Sequence, residues 1–238
     1  MNIIVDYGNS SAKVGIFNQR ALVDKHVFRE ENQLKDFLQN FSADHCIVSS
    51  VNTEAQTIAS WTTAKNKFIL HHTLPLPVKN LYATPQTLGV DRIAGVCGAQ
   101  DFFQATNCLV IDAGTCITYD FLDNKGRYHG GGISPGLTMR FQAMHTFTAR
   151  LPLVSVTENP LLIGNSTETC MQSGVIHGLI EEIDGVIRKY SEKFDGLKVI
   201  LCGGDTGFFE NKLKASIFAS PELVLSGLNS ILLYNVSR

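Results

Sequence analysis

Ile3-Ile4-Val5-Asp6-Tyr7-Gly8-Asn9-Ser10-Ser11-Ala12-Lys13-Val14-Gly15-Ile16-Phe17 is the stretch whose reading decides the fold. An apolar run ends in an aspartate, a glycine and small polar residues turn the backbone, and a second apolar run leads away. The first run reads as a buried strand and the turn as a tight hairpin. Gly8 opens backbone angles closed to other residues and lets a ligand come close to the main chain. Asn9, Ser10 and Ser11 supply hydrogen-bond donors and Lys13 a positive charge. Asp6 offers the hard carboxylate oxygen that suits a hydrated divalent cation. A plain β-hairpin needs similar turn residues, so this stretch alone leaves two readings open.

A second copy weighs on the choice. Leu109-Val110-Ile111-Asp112-Ala113-Gly114-Thr115-Cys116 again gives an apolar run, an aspartate, one residue, a glycine and a hydroxyl, and Ile117 to Leu122 follows as another strand. Asp6 and Asp112 stand almost half the chain apart, so each half opens on the same device. The pattern is that of an internal duplication.

Composition sets the outer bounds. The 238 residues are 44% hydrophobic and 18% charged, the make-up of an ordinary globular protein with ample chain for a core. Twenty Lys+Arg against 22 Asp+Glu leave a net charge of −2 with no basic stripe, so nucleic acid is not an expected partner. No apolar run reaches membrane-spanning length and no signal-peptide pattern precedes the first strand, so no membrane contact and a cytoplasmic location are expected. Cys46, Cys97, Cys108, Cys116, Cys170 and Cys202 form no Cys-x-x-Cys pair and read as reduced, small hydrophobic residues. Cys116, inside the second hairpin, is expected to be accessible. The seven histidines show no metal-ligand spacing.

Outward from the first hairpin, Arg20 to Phe28 reads as a third strand. Leu34, Phe37, Leu38 and Phe41 then give a helix over residues 30–41. A strand from His45 to Val51, a helix from Thr53 to Ala64 capped by Asn52, and a short strand from Lys67 to Leu70 complete a mixed sheet with helices on its faces. Pro75, Pro77 and Pro85 make residues 72–85 an extended connection that carries Tyr82. A helix follows to about Phe103, with Ala94, Gly95, Gly98 and Ala99 permitting close packing. Beyond the second hairpin come a turn at residues 123–126, an extended run from Arg127 through Gly130-Gly131-Gly132 to Ile133, and a helix over residues 137–146. A long helix spans residues 166–190, with Gly174, Gly178 and Gly185 marking close contact with another helix. A strand at residues 198–201, another near residues 216–219 and a closing helix over residues 221–236 end the chain.

The sequence lacks Gly-x-x-x-x-Gly-Lys-Ser/Thr, which excludes a P-loop, and lacks a strand-to-helix Gly-x-Gly-x-x-Gly, which disfavours a dinucleotide fold. Two Asp-x-Gly hairpins hold a triphosphate differently. Their backbone N–H groups meet phosphate oxygens from opposite sides, and the carboxylates hold cations that offset the charge. Gly203-Gly204 is either a tight strand–helix turn or bare backbone against a nucleoside. Asp91 is either a helix cap or the base that takes a proton from an alcohol attacking a γ-phosphate. Spacing leaves both open. Arg92 beside it suits an acidic substrate.

Asp6-Tyr7-Gly8-Asn9-Ser10, Gly89-Val90-Asp91-Arg92, Ile111-Asp112-Ala113-Gly114-Thr115, Tyr128-His129-Gly130-Gly131-Gly132-Ile133-Ser134-Pro135-Gly136, Thr148-Ala149-Arg150-Leu151-Pro152, Ser166-Thr167 with Met171-Gln172-Ser173-Gly174, and Gly203-Gly204-Asp205 run in this order through nearly the whole chain. Together they resemble the type III pantothenate kinases of the acetate/sugar kinase–Hsp70–actin superfamily. The hairpins alone indicate the superfamily. The Gly-x-Asp-Arg and Gly-Gly-x-Ile-x-Pro-Gly pieces, with the short length, point to the family. Gly95, where many relatives carry Asn, Ser10, where Thr is commoner, and Cys116, where a small Ala-like residue is usual, depart from the pattern.

The resemblance implies an α/β, duplicated actin-like (ribonuclease H-like) fold with two mixed sheets flanked by helices. It implies an N-terminal half over residues 1–80 and a C-terminal half over residues 81–238 that holds part of the substrate site and the dimer interface. The implied activity is that of a kinase, a transferase that phosphorylates pantothenate with ATP to 4′-phosphopantothenate, the first step of coenzyme A biosynthesis. The alternatives are another small-alcohol or sugar kinase of the superfamily and a non-catalytic transcriptional accessory factor. By the same resemblance Asp91 is the general base. Asp6, Tyr7, Gly8, Asn9, Ser10, Ser11, Ala12, Lys13 and Thr115 bind ATP, and Tyr82, Gly89, Val90, Asp91, Arg92 and Thr167 bind the substrate. Asp112 holds a monovalent cation (K⁺ or NH₄⁺), Asp6 lies near Mg²⁺, and the protein is a homodimer.

Overall fold

The computed structural model describes residues 1–8, 11–50 and 54–238. The N-terminal segment runs β1 (Asn2–Tyr7), β2 (Ala12–Asn18), β3 (Ala21–Phe28), α1 (Glu31–Asn40), β4 (His45–Ser50), α2 (Ala55–Trp61) and β5 (Asn66–Ile69). These strands form one sheet in the order β3-β2-β1-β4-β5. β1 pairs antiparallel with β2 and parallel with β4, and β4 pairs parallel with β5. Ile3, Ile4 and Val5 are buried on both faces, as a central strand of a covered sheet requires. Leu34 and Leu38, one helical turn apart, plug α1 into the same core. The order of elements is the one expected from the sequence. Asn9, Ser10, Val51, Asn52 and Thr53 lie outside the described residues, and with them the expected Asn52 cap.

The chain continues through β6 (Lys79–Asn80), α3 (Val90–Phe102), β7 (Cys108–Ala113), β8 (Cys116–Leu122), β9 (Arg127–Pro135), α4 (Leu137–Thr146), α5 (Thr167–Lys193), β10 (Lys198–Cys202), α6 (Thr206–Phe209), β11 (Phe218–Ala219) and α7 (Leu223–Val236). The second sheet has the order β11-β10-β7-β8-β9-β6. Replacing β1 to β5 by β7 to β11 in the first sheet reproduces this order, with β6 added at one edge. The parallel pairs correspond as well, since β10 pairs parallel with β7 and with β11. The repeat seen in the two Asp-x-Gly stretches therefore extends to topology. The fold is the mixed α/β architecture of two sheets flanked by helices.

Contacts divide the chain into two compact units, one of residues 1–105, 122–129 and 222–238, the other of residues 106–121 and 130–221. This division does not follow a cut at residue 80, because α3, the β8–β9 turn and α7 all join the unit of the first sheet. In that unit α7 packs on β1 and β4, and Asn229 on α7 receives a hydrogen bond from Asn2 while donating one to the Gln19 carbonyl. In the other unit α5 starts at a Ser166 cap reciprocated by Thr169. It lays Val175, Ile176, Leu179 and Ile183 against the core that holds Leu109 and Ile111. Among the described residues, nothing outside the helix's own nearby backbone lies within 4 Å of where a Cβ at Gly174, Gly178 or Gly185 would be.

α3 and α7 meet at their glycines. A Cβ on Gly227 would collide with the Ala94 carbonyl oxygen, and one on Gly98 would come within 2.7 Å of the Leu223 carbonyl oxygen. Both obstacles are backbone and cannot swing aside. Gly227→Ala is therefore expected to lose about 3 kcal/mol by forcing the helices apart. Gly185→Ala, in open space on α5, is expected to gain about 0.5–1 kcal/mol. Urea denaturation of the two variants beside the parent chain checks both signs.

Candidate active site

Asp6 is the last but one residue of β1, and the sheet decides its neighbours. Lys13 faces it across the antiparallel β1–β2 pair, and Ser49 stands beside it across the parallel β1–β4 pair. Burial pushes the Asp6 carboxyl up to about 6, and the Lys13 charge and the Ser49 hydroxyl oppose this without cancelling it. The negative charge of Asp91 adds to the rise. Asp6 and Asp91, 85 positions apart in the numbering, are thus within electrostatic reach of each other in one compact unit. The hairpin between β1 and β2 is closed by Gly8 N–H donating to the Ser11 carbonyl at 3.1 Å. Tyr7 and Ser11 are half-buried and Ala12 is buried.

Asp91 occupies the first turn of α3, and Gly89, not Asp91, is the N-cap residue. Its Oδ1 accepts the Arg92 N–H at 2.8 Å, and the residue is exposed. A carboxylate there is favoured by the helix dipole. Arg92 turns inward and is 8% exposed, with its guanidinium carbon 5.7 Å from the centre of the Tyr82 ring. Tyr82 in turn stacks on Tyr128, with centroids 6.1 Å apart and planes 7° apart. The structure therefore brings Asp6, Lys13, Tyr82, Gly89, Val90, Asp91 and Arg92 into one unit. Sequence reasoning placed Tyr128 in a motif without a role and passed over Ser49, whose only signal was a hydroxyl residue at the end of an apolar strand.

The second hairpin lies in the other unit and is tighter. Two residues, Gly114 and Thr115, separate β7 from β8, where four separate β1 from β2. Thr115 is exposed at the tip. Gly136, at the start of α4, donates its N–H to the Thr115 carbonyl at 3.1 Å, and Asp205 donates its own to the Ala113 carbonyl at 2.9 Å. Asp112 pairs in register with Cys202. Gly203 has φ +93°, and a Cβ there would strike both Asp112 Oδ1 and the Ala113 carbonyl oxygen, so only glycine fits. Burial raises the Asp205 carboxyl. Thr167 is the exposed first residue of α5.

The same unit holds a polar cluster with no sequence signal. Arg140 donates to Glu182 Oε2 at 2.6 Å, Ser134 to Glu182 Oε1 at 2.6 Å, and Tyr119 to the same oxygen at 3.1 Å. These partners come from four elements and join β8, β9 and α4 to α5. Cys46, Cys97, Cys108 and Cys202 are buried, Cys116 is half-buried and Cys170 exposed. Among the described residues no three or more His, Cys, Asp or Glu side chains gather as a metal site, and no helix is long and apolar enough to cross a membrane.

The Asp6 titration gives the site a signature. Its folded-state value of about 6 lies above the ordinary 3.8, so the folded unliganded protein loses stability through this group as pH rises from about 4 through 6. Asp6→Asn is expected to raise Tm by a few degrees at pH 8 and by less at pH 4.5. Thermal unfolding at the two pH values reads this directly. A gain that does not depend on pH would mean that the carboxylate is not desolvated.

A family model described as type III pantothenate kinase matches residues 2–189. A protein named type III pantothenate kinase from Phocaeicola vulgatus is 46% identical over 241 residues, covering 99% of each chain. Another of that name from Bacteroides fragilis is 45% identical over 245 residues and covers 100% of both. Among solved structures, a Campylobacter jejuni protein titled as a Baf-family transcriptional activator superposes with a TM-score of 0.65 at 22% identity, covering 99% of this chain and 100% of that one. A glucokinase from an Antarctic psychrotroph gives 0.54 at 8% identity, covering 98% of each. These structural likenesses speak for the fold, and the sequence matches decide the family. By its motifs, its topology and this identity along its whole length, the chain belongs to the type III pantothenate kinase family.

Proposed function

We propose that this chain transfers the γ-phosphoryl group of ATP to the primary alcohol of pantothenate, giving 4′-phosphopantothenate and ADP at the first step of coenzyme A biosynthesis. The observation that supports the site assignment is that Asp6, paired in register with Lys13, shares one unit with Asp91 and with a buried Arg92 on an aromatic ring. Phosphoryl transfer asks for positioning and charge compensation, with one carboxylate to orient the nucleophile.

In this reading the pantothenate hydroxyl oxygen forms a bond to the γ-phosphorus as the bond to the β–γ bridging oxygen breaks. The hydroxyl proton passes to Asp91, which is anchored through Oδ1 and exposed at the start of α3. Arg92, packed on Tyr82, pairs with the pantothenate carboxylate. Gly89 and Val90, at the start of α3, and Thr167, at the start of α5, are assigned to the substrate. Tyr7, Gly8, Asn9, Ser10, Ser11, Ala12, Lys13 and Thr115 are assigned to ATP.

The residues present fit the implied ions. Asp6 feels the negative charge of Asp91 as well as the positive charge of Lys13, and a divalent cation would offset the carboxylates' charge. Asp6 would hold Mg²⁺, chiefly through its water shell, and the ion would neutralise charge on the triphosphate. Asp112 is a hard carboxylate close to the Ala113–Gly203 backbone, a donor set suited to K⁺ or NH₄⁺. A homodimer is part of the proposal. Leu161, Leu162 and Ile163 are exposed in succession, and Phe147 is 85% exposed, which favours a covering partner surface. We place the enzyme in the cytoplasm.

Asp91→Asn is expected to lower kcat about 10³-fold and to leave the Kd for Mg-ATP within about threefold, measured by coupled ADP release and by calorimetry. Loss of ATP binding, or near-normal turnover, would remove Asp91 from the base role. Pantothenate-dependent ADP release in K⁺ buffer and its loss in Na⁺ buffer is the expected pattern for the parent enzyme. Asp112→Asn is expected to abolish that difference, whereas equal rates of the parent enzyme in both buffers, or an undiminished difference in Asp112→Asn, would end the cation assignment.

A further inference from the structure

The Arg92 guanidinium that the functional reading assigns to the substrate does not stand alone. Its Tyr82 support lies on a connection with little regular structure, in which β6 is two residues long. A side chain on such a segment keeps its place only if something else holds it. Tyr128, on β9, is fully buried and lies nearly parallel to the Tyr82 ring, 6.1 Å between centroids. The backbone repeats the connection: Leu81 N–H donates to the Tyr128 carbonyl at 2.9 Å and Lys79 N–H to the Gly126 carbonyl at 2.8 Å. Tyr82 N–H itself is taken by Asn80 Oδ1 at 2.9 Å.

The turn that presents Tyr128 is itself knotted. Asp123 is 9% exposed in its side chain and accepts Lys125 N–H, Arg127 N–H and Arg127 Nε–H at 2.6 to 3.0 Å, with His129 Nε2 at 2.8 Å. These bonds hold its carboxyl well below the usual carboxylate range. Gly126 has φ +68° and abuts the Gln100 side chain of α3, the same helix that starts with Asp91 and Arg92. Residues 122–129 belong to the compact unit of the first sheet although they lie deep in the second sequence repeat. The excursion thus delivers a rigid aromatic surface to Tyr82.

We propose that Tyr128 is a positioning residue for the substrate carboxylate, acting through Tyr82 on Arg92 by ring stacking and not by its hydroxyl. This deepens the pantothenate reading and rests on it. Aromatic stacking of this geometry and cation contact with a ring both favour one orientation of the groups involved. Loss of the stack weakens one of the contacts that orient Arg92, and the added cost of ordering its guanidinium weakens substrate binding without altering the reacting atoms.

The test is a steady-state comparison of Tyr128→Leu, Tyr128→Phe and Tyr82→Leu. Tyr128→Leu is expected to raise KM for pantothenate about tenfold with kcat and KM for ATP within about twofold. Tyr128→Phe keeps the ring and restores the parent KM even if its Tm falls. In a Tyr82→Leu background the Tyr128→Leu effect disappears, the sign of action through one partner. A Phe variant as impaired as Leu, a joint fall of kcat and both KM values, or an additive double variant would each overturn the proposal. Exchange of the Arg92 Nε–H with water, followed by NMR without substrate, separates the two layers of the argument. Exchange at least about fivefold faster in Tyr128→Leu than in Tyr128→Phe supports positioning, and equal exchange overturns it. A parent protein that does not turn over pantothenate would count against the substrate reading while this exchange still decides the role of Tyr128.

Discussion

A carboxylate taken out of water must have its charge offset, and among the described residues Lys13 and Ser49 offset that of Asp6 only in part. β1 is apolar because it is covered on both faces, and Asp6 sits where that cover ends. Lys13 and Ser49 reach it through strand register, yet the carboxyl stays raised to about 6. Asp91 adds a second negative charge instead of relieving the first. Such an arrangement costs stability unless a cation and its phosphate ligand complete it. The first sheet, the hairpin and the start of α3 make sense together as a scaffold for that deficit.

The second repeat keeps the device and changes its surroundings. Its hairpin is shorter by two residues, and its aspartate lies against bare backbone at Gly203 where Asp6 lies against side chains. Amide groups of Gly136 and Asp205 are tied into the same corner. A duplicated topology has thus diverged in what each copy offers. The first sets Asp6 beside Lys13 and Ser49 through strand register, and the second packs Asp112 against the bare backbone of Gly203.

Compact units and sequence halves do not coincide. α3 packs on α7 only because Gly98 and Gly227 leave their backbones free to approach. This packing holds Asp91 and Arg92 with the first sheet. The β8–β9 turn joins the same unit and brings Tyr128 under Tyr82. Residues from three separated stretches therefore meet in one compact unit.

Much of this was legible in the amino-acid order. The apolar-Asp-x-Gly repeats gave the central strands, helical spacing gave α1 and α5, and the prolines marked the connection before α3. Those features are local, set by periodicity, turn chemistry and burial of one run at a time. Gly89 as the cap of α3, the short β6, and the open space around Gly174, Gly178 and Gly185 were not legible, because each depends on what lies across from it. The raised Asp6 carboxyl, the Glu182 cluster and the stacking of Tyr128 on Tyr82 were invisible for the same reason. The sequence by itself determined the duplicated α/β plan and the family. Only the tertiary structure decided which of them meet, since desolvation, stacking and register arise between segments that have no relation along the chain.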